Sequence, residues 1–367
     1  MVFHARLSAT EIGVYQALQL MPFLLFTGPG GRLTDRIGAR RSFTLSTGLF
    51  AGTLVFYGLV EPLAGFSPLL FGGYCLLSGL LSAISNPAID TFIPEATPRP
   101  AETNALLSAT VHNIAKLAGN LSTLLLPVLS AMGGFVVNGL LMAISAAFLL
   151  RHPRPPRPAQ TPGGRQALGR VMAHFRAHPV SADILSGSVM LGLLVVPAGY
   201  IFNPLIMRLR FPEQEHLFAL TGVTGWLGAI LASWLCARFA ARIARPGRIA
   251  LAIWAAGSLL SASLLVVPGF AAYVAVVFLL GSNSVGKALI YGRYLREAPA
   301  ADRGLLIGID QTAFWGLATL GTLTLGWLTD RAGLAVTMVG NSAAILIFVS
   351  ILAARGRLAS IRTGQRE

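Results

Sequence analysis

The side chains with the most chemical potential in this sequence are polar ones stranded in apolar company. His112, Lys116 and Asn120 recur at i, i+4 and i+8, with Asn113 beside them, so on a helix they make one polar stripe. Such a stripe could contact an anionic or polar ligand, or knit helices together through hydrogen bonds. Lys287 is isolated in another apolar run, where a structural ion pair and a ligand contact are nearly equal readings. Gln16 and Gln19 stand in the first apolar run and either line a cavity or tie two helices together. Asp310, followed by Gln311, is the embedded carboxylate best suited to take up and release a proton. An interfacial aspartate near a helix start is the plainer reading of the same residue.

Other patterns suggest chemistry that their surroundings argue against. Gly281 to Lys287 spells the GxxxxGK of a phosphate-binding loop, but Ala288 replaces the hydroxyl that would hold magnesium, and the run around it is apolar. His174 and His178 are four apart without HExxH or a third ligand, so no metal site is expected. Cys75 and Cys236 lack CxxC spacing and read as small buried hydrophobes. No nucleophile and base stand in a recognisable pattern. Neither an enzyme nor a cofactor is expected.

The elements that carry these residues follow from composition. The chain has 367 residues, 54% hydrophobic and 11% charged, with a mean hydropathy of +0.68. Soluble domains carry about 25% charged residues. A net charge of +14 could suggest nucleic acid. However, the basic residues come in short clusters between long apolar runs, which excludes a continuous basic stripe. Runs near 11–29, 42–61, 67–87, 104–130, 134–150, 182–203, 217–237, 249–267, 271–291, 304–328 and 333–354 are each long enough for a membrane span. The expected fold class is therefore all-α and polytopic, with about eleven transmembrane helices. Lys116 would lie about 18 Å along its helix, near the bilayer centre, and Asp310 about 9 Å along its own.

Arginine sets the orientation. Alternate loops hold the clusters at 32–41, 151–176, 238–248, 293–303 and 355–366, together with Arg99. The opposite side has only Arg6, Arg208, Arg210 and Arg331. By the positive-inside rule the first set and the C-terminus face the cytoplasm. The longest cytoplasmic loop, 151–181, opens with a proline-rich linker. It continues with Leu168, Val171, Met172 and Phe175 at helical spacing, which reads as an amphipathic helix lying on the inner membrane surface. It separates a helix bundle over 1–150 from a six-helix bundle over 182–367.

Between the first two spans stands Gly31-Arg32-Leu33-Thr34-Asp35-Arg36-Ile37-Gly38-Ala39-Arg40-Arg41. This resembles the GxLxDRxGxRR signature of the major facilitator superfamily. The positive-inside rule accounts for its arginines but not for Asp35 or the two glycines. Gly31 permits close helix approach and Gly38 a tight turn. The resemblance implies a cytoplasmic latch formed by Gly31, Asp35, Arg36, Gly38, Arg40 and Arg41, with Asp35 meeting the start of the span near Gly304. Asn86-Pro87-Ala88 through Asn104-Ala105-Leu106, His112 to Gly119, and Arg303-Gly304 with Gly326 to Asp330 are similar to the enterobactin-exporter-like (transmembrane secretion effector) branch. Asn120 replaces that branch's proline. Ala241 to Pro246 is a faded echo of Asp35 to Arg40, as two repeated six-helix halves would give. Gly326 to Gly333 looks like a third copy on the outer side and is read as a helix end and turn.

The resemblance implies a major facilitator fold of two pseudo-repeated bundles in a bacterial cytoplasmic membrane. The family has twelve helices, so the first is expected to be missing here, with Ser8-Ala9-Thr10-Glu11 as a capping box opening the first span. The implied activity is secondary active export of a small drug- or siderophore-like molecule, without ATP and without a nucleic-acid partner. A proton gradient would drive it, and the chain would act as a monomer among membrane lipids. A non-transporting, receptor-like or structural member of the family is the alternative.

Overall fold

The computed structural model describes residues 6–96, 126–151, 166–239, 242–299 and 303–362, with single positions between 107 and 119. Those residues form helices joined by short turns, with no strand among them. In order they are α1 (Ala9–Ile37), α2 (Ala39–Ala64), α3 (Pro68–Ala96), α4 (Leu126–Leu150), α5 (Gln166–Ala177), α6 (Pro179–Arg210), α7 (Phe218–Arg238), α8 (Pro246–Ser263), α9 (Phe270–Leu280), α10 (Asn283–Glu297), α11 (Arg303–Ala332) and α12 (Leu334–Arg355). α9 and α10 together make one crossing, Phe270–Glu297. With the helical positions between Leu107 and Gly119, the arrangement fits the expected eleven or so crossings. Seven of the described crossings are long and apolar enough to span a membrane by length and composition alone.

Burial is inverted relative to a soluble protein. Leu63 and Leu69 are 89% and 88% exposed, and Leu49, Phe56, Ile144 and Ile347 also face outward. Ser42, Ser46, Ser78, Ser258 and Thr322 are buried between helices. With no water in a bilayer core, each hydroxyl there needs a partner. Ser46 donates to the Ser42 carbonyl at 2.8 Å, and Ser258 to the Ser342 carbonyl at 2.7 Å. Small residues bring the backbones together. A Cβ on Gly79 would meet the Gln19 carbonyl, which joins α3 to α1. One on Gly139 would meet the Ala51 carbonyl, which joins α4 to α2.

α1–α4 pack on one another and α6–α12 on one another, and α1 joins the two groups by running along α11. Gly326 fits against Ala9, Gly13 against Thr322, and Gly316 against Leu24, so the two helices are antiparallel. Leu7, Ala9 and Ile12 are built into an apolar core with Ile201, Phe202, Leu205 and Met338 of the second group.

The start of α1 accounts for all its orphan N–H groups. Ser8 N–H donates to Glu11 Oε2 at 2.8 Å, and Glu11 N–H to Ser8 Oγ at 3.1 Å, which is the expected capping box. The other two cross between groups. Ala9 N–H donates to Asp330 Oδ1 at 3.2 Å, and Thr10 N–H to Asp330 Oδ2 at 2.8 Å. Arg208 adds a 2.7 Å bond to the Leu7 carbonyl. Asp330 lies just past the apolar span. Burial works to raise its carboxyl, but the hydrogen bonds from Thr10 and Ala9 and the charge of Arg208 hold it below the usual carboxylate range.

Three features read from the sequence can be placed in the structure. The apolar face of α5 packs on protein: Val171 and His174 are buried, and Phe175 stacks on Tyr294 at 6.4 Å, so this face covers the end of the second helix group. The described residues of the echo at 241–246 form a short turn that leads into α8. The segment at 326–333 is a helix end and turn, as expected, but it also holds the two groups together through Asp330.

Candidate functional site

Two of the stranded polar residues meet. Lys287 Nζ of α10 donates to Asp310 Oδ2 of α11 at 2.7 Å. Asp310 is 1% exposed. Its other oxygen accepts from Ser188 Oγ of α6 at 2.5 Å. A buried carboxylate needs this many partners, because an uncompensated charge in an apolar interior costs several kcal/mol. The Lys287 ammonium sits 4.4 Å from the Phe314 ring centroid and 5.3 Å from that of Tyr291, where the ring faces stabilise a cation. Its side chain keeps 18% of its surface exposed, so the pair is reachable from its lysine side.

Local irregularity aims these side chains. α6 loosens into a π-helical turn at Leu191–Val195, and α11 does the same at Thr312–Gly316. The two turns face each other: a Cβ on Gly192 would strike the Ala313 and Phe314 carbonyls. Ser188 lies one turn before the first, and Asp310 two residues before the second. Each π turn inserts a residue and rotates the helix on its N-terminal side relative to the helix on its C-terminal side, which is how such turns come to frame functional sites. Asn341 of α12 donates to the Leu194 carbonyl, within the first of these turns, at 3.2 Å.

The first helix group faces this cluster. Asp90 of α3 lies within electrostatic reach of the Tyr291 hydroxyl and 3.8 Å from His112 Nδ1. α1 passes close by, with Phe23 6.1 Å from Trp315 and Leu24 against Gly316. Charged and aromatic groups from both helix groups therefore converge at the level of the π turns.

The other sequence candidates fall in several places. Gln16 and Gln19 are half-buried on α1, Gln19 with its carbonyl against Gly79. The side chains of Asn113, Lys116 and Asn120 lie outside the described residues, so the stripe is seen only at His112. Gly31 and Asp35 are described as helical backbone alone. Gly38 has φ +91°, the turn its lack of a Cβ allows. Arg36 and Arg41 are exposed, and Arg40 Nη2 donates to the Leu150 carbonyl at the end of α4 at 3.0 Å. The glycines of GxxxxGK serve packing: Gly281 lies against Gly225 and Gly286 against the Trp254 indole. His174 and His178 bring their rings to 4.6 Å, and no group of three or more metal-ligating side chains occurs among the described residues.

Sequence reasoning missed Asp90, Ser188 and Tyr291. Asp90 carried a signal, as a carboxylate three residues past an apolar run. Pro87 placed the expected end of that run before it, whereas α3 continues through Pro87 to Ala96. Hydroxyls are frequent in membrane helices, so nothing distinguished Ser188 or Tyr291.

Known proteins resemble this arrangement as a whole. A mutant of the nucleoside transporter NupG superposes with a TM-score of 0.76 at 14% identity, covering 96% of this chain and 92% of that one. The xylose transporter XylE from E. coli, in an inward open conformation, gives a TM-score of 0.69 at 16% identity, covering 100% of this chain and 90% of that one. At such identities the likeness speaks for the fold. No curated protein matches the chain in sequence. The sequence profile of the Major Facilitator Superfamily matches residues 2–322, and with that match the chain belongs to this family of membrane transporters.

Proposed function

We propose that the protein is a proton-coupled secondary transporter that exports a small drug- or siderophore-like molecule across a bacterial cytoplasmic membrane. The arginine-rich face and the C-terminus are cytoplasmic in this reading. The protein works as a monomer, its two helix groups rocking about the level of the π turns. Gly31 to Arg41 form the cytoplasmic latch.

The observation that carries the reading is the Lys287–Asp310 pair, buried beside two facing π turns and reachable through its lysine. A proton bound at Asp310 neutralises the carboxylate and loosens its hold on Lys287. The ammonium then keeps only its contacts with Phe314 and Tyr291, and the neutral carboxyl no longer attracts a donor or cationic part of a substrate. Loss of the proton restores the charge. A substrate group at the ionised carboxylate opposes protonation, so proton and substrate exclude one another, which is the linkage that exchange requires. Asp90 and His112 supply the facing polar wall.

Inverted membrane vesicles with a respiration-generated pH gradient test this. Addition of a substrate drawn from a panel of dyes and siderophores is expected to discharge the gradient with the wild type and not with Asp310→Asn. Asp35→Asn is expected to abolish transport while the protein still inserts normally. Full proton-coupled transport by Asp310→Asn would remove the coupling assignment, and full activity of Asp35→Asn the latch assignment.

A further inference from the structure

The sequence carries one eight-residue pattern, GxLTDRxG, twice. Gly31-Arg32-Leu33-Thr34-Asp35-Arg36-Ile37-Gly38 ends α1, and Gly326-Trp327-Leu328-Thr329-Asp330-Arg331-Ala332-Gly333 ends α11. The two differ at the second and seventh positions only. Their backbones agree as well. Gly38 has φ 91° and ψ 143°, and Gly333 has φ 84° and ψ 158°. Each closing glycine donates its N–H to the threonine carbonyl four residues back, at 2.8 Å to Thr34 and 3.0 Å to Thr329. Each threonine is buried, and each glycine opens the next helix without a gap.

These copies sit at opposite ends of one antiparallel pair. Because α1 and α11 run side by side in opposite directions, the C-terminus of each lies beside the N-terminus of the other. An aspartate there meets free N–H groups and the positive end of a helix dipole. At the end near the N-terminus the contact is in place: Asp330 takes the Ala9 and Thr10 N–H groups with its two oxygens. Arg208 reinforces it at Leu7, and Gly326 lets the backbones close. A cavity of about 620 Å³, lined in part by Arg6, Glu11, Arg208 and Asp330, opens beside this contact. Water therefore reaches the clasp, so its bonds can exchange with solvent when the helices part.

We propose that Asp330 is a positioning residue for transport: with the start of α1 it forms a latch on the N-terminal face, the counterpart of the Asp35 latch on the arginine-rich face. This inference rests on the transporter reading above. Closing the N-terminal face docks Asp330 onto α1, and opening that face requires those two bonds and the Arg208 bond to break. The same pattern at both ends gives the helix pair a similar hold on either side.

The seam beneath the latch provides the test. Thr322 is fully buried, and its carbonyl packs on Gly13. In full-length protein with Cys236→Ser, a Thr322→Cys substitution reports opening of the seam to a membrane-impermeant maleimide. The native Cys75, buried in the first helix group, reports unfolding. In intact cells Asp330→Ala is expected to raise labelling at position 322 about threefold to tenfold, from the loss of charge-assisted bonds. Asp330→Asn, which keeps an acceptor, is expected to give a smaller rise, with Cys75 protected in both. Unchanged labelling in both variants overturns the latch. So does a rise that exposes Cys75 equally, since a latch should move the seam alone. A rise seen only in inverted vesicles supports the latch and overturns the arginine-based orientation instead. If no panel compound discharges the pH gradient, the transporter reading fails while the labelling response stands apart from it.

Discussion

The buried cluster around Asp310 and the clasp at Asp330 use the same side chain for opposite purposes. Asp310 is enclosed, neutralised by Lys287 and hydrogen-bonded by Ser188. Asp330 is exposed and bonds to backbone N–H groups that water could serve almost as well. Where the surroundings are apolar, removing a partner leaves a charge with nowhere to go. Where water is close, the net value of each bond shrinks. On the transporter reading proposed above, the first suits a switch whose states differ sharply and the second a hold that is released in each cycle.

Thermal unfolding of the purified protein in detergent would sharpen this contrast. The largest effect is expected for Asp310→Ala, which leaves Lys287 unpaired and should cost about 3–5 kcal/mol. The double variant Asp310→Leu with Lys287→Met should recover most of that loss while remaining inactive, because the pair's function and its stability are separable. If the double variant is as unstable as the single, the ion pair is not what the burial of Asp310 depends on. Ser188→Ala removes one bond to the carboxylate and should cost about 1.5–3 kcal/mol.

Gly38→Ala and Gly333→Ala should each cost about 1–3 kcal/mol, since both force a side chain into a positive-φ region that is essentially glycine-only. Equal costs are expected from equal backbones. A much larger cost at one of them would show that its turn carries contacts the other lacks. The smallest effect on stability is expected for Asp330→Asn, under about 1 kcal/mol, because the site is solvated. Its consequence should appear in access to the seam rather than in melting temperature, and a stability loss matching that of Asp310→Ala would erase the distinction drawn between the two aspartates.

Much of this was legible in the chain. Apolar runs longer than a bilayer is thick leave helices as the one way to satisfy the backbone, so the spans followed from composition. The octapeptide at 31–38 announced a glycine turn, and Gly38 has the positive φ it needs. Ser8 and Glu11 announced a capped start, and both box bonds are present. Each of these is local: spacing along one helix or one turn is enough to decide it. The apolar spacing of α5 was also visible, but not whether lipid or protein would cover it.

What only the tertiary structure decided were the pairings between distant segments. Lys287 and Asp310 each stood out singly, yet their contact depends on how α10 and α11 cross. Ser188 joins them from more than a hundred residues away because two π turns, unmarked in the sequence, bring α6 and α11 together. The second octapeptide could be read, but its hold on α1 could not, since it exists only because the two helices lie antiparallel. The sequence determined which groups would be costly to bury or free to bond. The crossing and direction of the helices decided which of them meet.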